Sequence, residues 1–217
     1  MKKTYLLALA VGLSAAGCSS TPSHSGFLGD YSGLTHQSDS QVRQIYRKSG
    51  GDLSQYNKVI IEPVVFFFNP KSGYQGVRAT DLQYLANYFE KAMINALSNR
   101  YPIVQQPGPG VLKVRAAITD LVMTNPRLIQ DSTTAGFADP AVPGQTIDNP
   151  DVHIHIGGAS MEAEMVDSQS GERLVAAVDW RGPDITSRDS MGSWDDAKKA
   201  FDFWAGLLRQ GLDEAHQ

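Results

Sequence analysis

The chain predicts an α/β (α+β) domain: one twisted, mainly antiparallel sheet with two helices packed on a face, in strand-helix-strand-hairpin-helix order. Three observations carry this. Residues 59–68 form a nearly unbroken β-branched and aromatic run, the composition of a strand. Residues 80–99 and 193–212 space their apolar side chains three and four apart, the helical period. Residues 159–180 alternate apolar and polar side chains about a polar turn that closes in Gly171, the pattern of a hairpin. Laying both helices on one face of one sheet buries every apolar stripe at once.

Taken in order, residues 26–34 mix Phe27, Leu28, Tyr31 and Leu34 with glycine and aspartate. They read as an ordered loop tucked onto the core. Residues 35–57 are polar, with Val42, Ile45, Tyr46, Leu53 and Tyr56 as docking points. The run at 59–68 contains Pro63, which cannot donate to a ladder, so a bulge or an edge-facing position is expected there. The first helix is expected to open at Thr80 as N-cap, with Asp81 favoured by the dipole and Leu82, Leu85, Phe89, Ala92, Met93 and Ala96 as its stripe. Tyr101-Pro102 marks its end, and Ile103-Val104 reads as a short strand. After the turn Pro107-Gly108-Pro109-Gly110, residues 111–123 read as a long strand. Leu112, Val114, Ala116 and Ile118 face inward, with Lys113, Arg115, Ala117 and Thr119 on a partly wet face.

Residues 124–157 are rich in Pro, Gly, Asp and Thr and carry little periodicity. A loop of that length in a compact domain is usually functional or mobile. In the hairpin, Met161, Ala163 and Met165 point inward, Glu162 and Glu164 outward. Ser193 caps the last helix, whose stripe is Ala197, Phe201, Trp204, Ala205, Leu208 and Leu212.

The N-terminus carries an address. Lys2 and Lys3 precede a short apolar run at 5–13, followed by Ser14-Ala15-Ala16-Gly17 and then Cys18, the only cysteine of the chain. This is the layout of a secretory signal peptide, too short for a stable span. A cysteine directly after small residues resembles the lipobox of bacterial lipoproteins, with Ala15 where leucine is usual. The resemblance implies that Cys18 is lipidated, palmitate included, and becomes the mature N-terminus. Ser19 in place of Asp then favours the outer membrane. The expected organisation is a signal peptide at 1–17, a lipidated cysteine and polar tether at 18–25, and one periplasmic domain at 26–217 with a long loop at 124–157.

Without residues 1–17 the chain holds 17 basic and 23 acidic side chains, a formal charge of −6. The basic residues are scattered, so the composition argues against nucleic acid as partner. With Cys18 given to lipid, no disulfide is available and burial alone must hold the domain.

Gly26-Phe27-Leu28-Gly29-Asp30-Tyr31-Ser32-Gly33-Leu34 resembles the opening signature of a family of bacterial lipoproteins, domain of unknown function 3313. The resemblance continues in Tyr56-Asn57-Lys58-Val59-Ile60-Ile61-Glu62-Pro63-Val64. It recurs in Gly157-Gly158-Ala159-Ser160-Met161-Glu162-Ala163-Glu164, then Asp167-Ser168 and Gly171-Glu172. It implies an exported lipoprotein and brings no catalytic residues with it. More loosely, the element order is similar to small periplasmic domains of outer-membrane assembly lipoproteins, an analogy of fold alone.

Candidate sites are sparse. His153 and His155 are two apart and would share a strand face, near Asp148 and Asp151, but two histidines fall short of a complete metal set. Glu162 and Glu164 also share a face; ordinary alternation makes them solvated outward residues rather than an acid–base pair. No Gly-x-Ser-x-Gly elbow is present, and the Pro-Gly turn lacks the lysine of a phosphate loop. The crowd of Phe66, Phe67, Phe68, Tyr84, Tyr88, Trp180, Trp194 and Trp204 is expected in the core.

The expected function is therefore a non-catalytic, membrane-anchored lipoprotein without cofactor. It would bind an envelope protein or glycan and support assembly or integrity. The competing expectation is a periplasmic enzyme or small-ligand binder using the 124–157 loop, with Asp131, Asp148, His153 and His155 as candidates.

Overall fold

The computed structural model describes residues 24–38, 40–68, 77–122, 157–182 and 194–217. Its elements are β1 (Gln44–Arg47), β2 (Lys58–Ile61), β3 (Val65–Phe66), α1 (Ala79–Leu97), β4 (Val111–Val122), β5 (Gly158–Asp167), β6 (Arg173–Arg181) and α2 (Asp195–Ala215). The sheet runs β1-β6-β5-β4-β2, with β3 also paired to β4. The β1–β6, β6–β5 and β5–β4 ladders are antiparallel, and β2 and β3 run parallel to β4. The α+β prediction therefore holds as an open, mixed sheet with both helices packed together on one face.

The long apolar run divides at Pro63. Ile61 pairs with Val114, and Val65 with Ala117, so four steps on one strand answer three on the other. That extra residue is the bulge the missing proline donor calls for. Past the bulge, Phe66 stacks on Phe68 at 5.4 Å and both pack against the core, while Phe67 and Val65 are exposed.

The helix-facing core joins Leu112, Val114, Ala116 and Ile118 of β4 to Leu85, Phe89 and Met93 of α1 and Phe201, Trp204 and Leu212 of α2. Phe89 and Phe201 stack at 4.9 Å, and Trp204 Nε1 of α2 donates to Asp179 Oδ2 of β6 at 2.8 Å. Tyr84 is exposed, so the aromatic crowd divides between core and surface.

Three local expectations are corrected. The first helix starts at Ala79, one residue before Thr80, with Arg78 as N-cap and no side-chain cap bond. A bidentate Arg78–Asp81 pair, 3.0 and 3.1 Å, occupies that end instead. Ile103 makes only a single bridge to Val59. The polar stretch before residue 58 contains β1, an edge strand too short to show a period.

The expected wet face of β4 is also covered. Ala117 and Thr119 are buried, because residues 25–34 lie across the reverse face of the sheet. Leu28 packs there on Ala176 and Val178, flanked by Phe27, Tyr31, Leu34 and Tyr46. The tucked loop foreseen at 26–34 is thus a strap on the side away from the helices.

Candidate functional site

Cys18, Asp131, Asp148, His153 and His155, with the loop at 124–157, lie outside the described residues. Glu162 and Glu164 lie within them, and they overturn the expectation of solvated carboxylates. They are 1 % and 4 % exposed, less than Ala163 and Met165 on the helix side of the same strand. Alternation placed them on the correct face; the strap then covers that face.

Glu162 and Glu164 hold the strap by nearly all their acceptors. Glu162 Oε1 accepts from the Ser25 amide at 2.6 Å, and Oε2 accepts from the Tyr31 hydroxyl at 2.6 Å. Burial, then the hydrogen bond to Glu162, raises the Tyr31 pKa above its ordinary value, so the phenol stays protonated and donating at neutral pH. The same hydroxyl accepts from the Gly26 amide at 2.7 Å. Glu164 is bracketed by Arg115 and by Arg173, whose Nε donates to Oε2 at 2.7 Å. Arg173 passes the contact on, donating to the carbonyls of Leu28 and Asp30 at 2.6 Å each. Arg115 also pairs with Glu62 at 3.3 Å and lies over the Phe27 ring. A buried carboxylate persists only when paired and bonded in this way. With their oxygens so engaged, these glutamates are structural clamps and not an acid–base pair.

On the helix side the sheet is less completely covered. A cavity of about 330 Å³ lies between α2 and the sheet. Its floor includes Ala116, Ala163 and Ala177, and Met161, Met165 and Leu208 add to its walls. The polar side chains of Gln41, Arg47, Gln210 and Glu214 border it. Pockets of this size lined mainly by apolar groups are the usual form of small-molecule sites. Sequence periodicity did not reveal this cavity, because it arises from register between strands far apart in the chain. Among the described residues, no group of three or more His, Cys, Asp or Glu side chains is arranged to hold a metal ion. No described helix is long and apolar enough to cross a membrane.

The clamp unites three segments distant in sequence: the Gly26–Leu34 block, Glu62, and the Gly157–Glu164 block. A family model described as protein of unknown function (DUF3313) matches residues 23–208. The chain belongs to this family. Within the DUF3313 match, the strap, both carboxylates and Arg173 all fall inside the matched span. Among curated relatives, the uncharacterized lipoprotein YdcL of Escherichia coli K12 is 24 % identical over 203 residues, covering 88 % of this chain and 87 % of the relative. Its counterpart in Escherichia coli O157:H7 matches to the same extent. These relatives support a lipoprotein of unknown function. Among solved structures, the PelC dodecamer of Paraburkholderia phytofirmans is 11 % identical, with a TM-score of 0.37 over 80 % of this chain and 96 % of that one. A point variant of it gives 10 %, 0.38, 77 % and 95 %. Likeness at that level carries no conclusion about this DUF3313 protein.

Proposed function

We propose that this DUF3313 protein is acylated at Cys18 and anchored in the cell outer membrane, its domain facing the periplasm. There it acts as a non-catalytic module that binds an envelope protein or glycan. The carrying observation is the clamped strap. The amide of Ser25, seven residues after Cys18, is bonded to the buried Glu162, and the chain stays fixed to the sheet through Leu34. Such a short link holds the domain close to its anchor, and the clamp fixes which side of the sheet the link leaves from. An anchored module with a set attachment suits binding at a membrane surface. The engagement of Glu162 and Glu164 leaves them no catalytic work.

The test is cross-linking in intact cells followed by purification of this protein. A specific envelope partner recovered with wild type, and not after Glu162→Ala loosens the strap, is the expected result. Repeated recovery of no specific partner contradicts the binding role. A small-ligand role is favoured by one observation, the apolar cavity beneath α2.

A further inference from the structure

We infer that the cavity between α2 and the sheet takes one acyl chain of a membrane lipid. This deepens the anchored reading and rests on it for the source of the lipid.

Size is the first reason. Protein interiors hold few voids larger than a water molecule. At about 330 Å³, this one is roughly twice the ~150 Å³ apolar cavity that stays dry and admits benzene.

Shape is the second. Ala116 pairs with Ala163, and Ala163 with Ala177, so three methyl side chains stand in one row across three adjacent strands. The row ends at Ile45 of β1, which pairs with Ala177. The next row toward one end of the strands is Val114, Met165 and Val175, and larger side chains there make a wall. Rows on one face of a sheet are spaced by two residues, about 7 Å. A helix with its side chains is ~10–12 Å across and does not enter such a trough; a methylene chain does. Gly211 keeps the roof open. It lines the cavity from within α2, and no heavy atom lies within 4 Å of where its Cβ would stand. Glycine is unfavourable inside a helix; at this position the missing side chain leaves the space beside the cavity unfilled.

Location is the third. The His24 ring is bonded to Gln44 of β1 at 2.9 Å, so the tether arrives at the edge strand where the alanine row ends, on the strap side of the sheet: Gln44 pairs with Val178, whereas the neighbouring Ile45 pairs with Ala177 on the cavity side. The six residues from Cys18 to His24 extend no further than ~20 Å, so a lipid anchor at Cys18 would keep this edge of the sheet within about that distance of the bilayer. Arg47 stands at that mouth beside Gln41, Gln210 and Glu214. Its guanidinium, bonded at 3.1 Å to Gln37 Oε1, is the cation there for a lipid phosphate. Glu214 keeps its own charge there, its Oε1 accepting from the neutral Gln210 amide at 2.7 Å, so Arg47 is one cation beside one anion.

The test uses the full-length protein in vesicles of phosphatidylethanolamine and phosphatidylglycerol that include a phospholipid with a photoreactive diazirine in one acyl chain. After illumination, labelled peptides are mapped by mass spectrometry. Label on the peptides of Met161, Met165 and Leu208 is expected. Gly211→Leu, whose Cβ meets open space, should cut that label about tenfold, and Ala163→Leu should do the same from the floor. Thermal melting checks that both variants fold. Label absent from these peptides, or unchanged in a folded Gly211→Leu protein, overturns the inference. Intact mass reads Cys18 acylation separately. An acylated protein with an unlabelled cavity refutes only the acyl-chain site. An unacylated protein whose cavity is labelled by a diazirine fatty acid in solution refutes only the anchor.

Discussion

Glu164 carries the clearest residue-scale consequence. It is nearly fully buried between two arginines that are themselves partly exposed. Removing one member of a buried pair leaves charges without a partner, at ~3–5 kcal/mol for fully buried sets. Allowing for the exposure of Arg115 and Arg173, Glu164→Ala should cost about 2–3 kcal/mol in urea unfolding. Glu172, paired with Lys48 at the surface, is the contrast; its alanine variant should change stability by under ~0.5 kcal/mol. Gly158 makes a second case. Its φ is +121°, and a Cβ there would stand 2.1 Å from the Arg181 carbonyl oxygen. Gly158→Ala must displace backbone, and a loss of at least ~2 kcal/mol is expected in the same assay.

Asp167 adds a pH dependence. The Ser170 amide and hydroxyl hold its carboxyl below the usual range, against some desolvation, with Tyr56 and Gln169 adding to them. Burial and this same carboxylate push Tyr56 up to about 12. A carboxylate depressed in the folded state contributes stability above its unfolded pKa, near ~3.9, and loses it as pH falls through the folded value. Stability should therefore decline below about pH 4, and Asp167→Asn should flatten part of that decline in a series of urea melts.

At the scale of elements, the β5–β6 hairpin was legible because a strand's period and a polar turn are both local signals. Residues 159–180 contain both, and the structure extends the strands by only one residue at most ends. The N-terminus of α1 was not legible to the residue, since the Arg78–Asp81 pair takes the place that the Thr80 hydroxyl was expected to fill. The burial of Glu162 was beyond local pattern altogether. Alternation says which face a side chain takes, but its cover, Tyr31, lies 131 residues away in sequence. The alanine row is of the same kind, since it exists only once three strands are in register. Within α2, Gly206 has open space where a Cβ would stand and is exposed, away from the cavity. Gly206→Ala should raise stability by about 0.5–1 kcal/mol, read as a higher melting temperature.

For the whole molecule, the two faces of the sheet divide the work. The helix face supplies the core and leaves a cavity; the reverse face grips the segment that leads to Cys18. The family-like blocks at 26–34 and 157–164 meet on that reverse face, so the resemblance read from sequence corresponds to one physical clamp. This arrangement makes sense for a domain held close to an anchor, and the anchor is the central claim. Metabolic labelling with an alkyne palmitate analogue, followed by purification of this protein, tests it most directly. Label on the wild type and none on Cys18→Ala is the predicted result. An unlabelled wild type, or label that persists in Cys18→Ala, would contradict it.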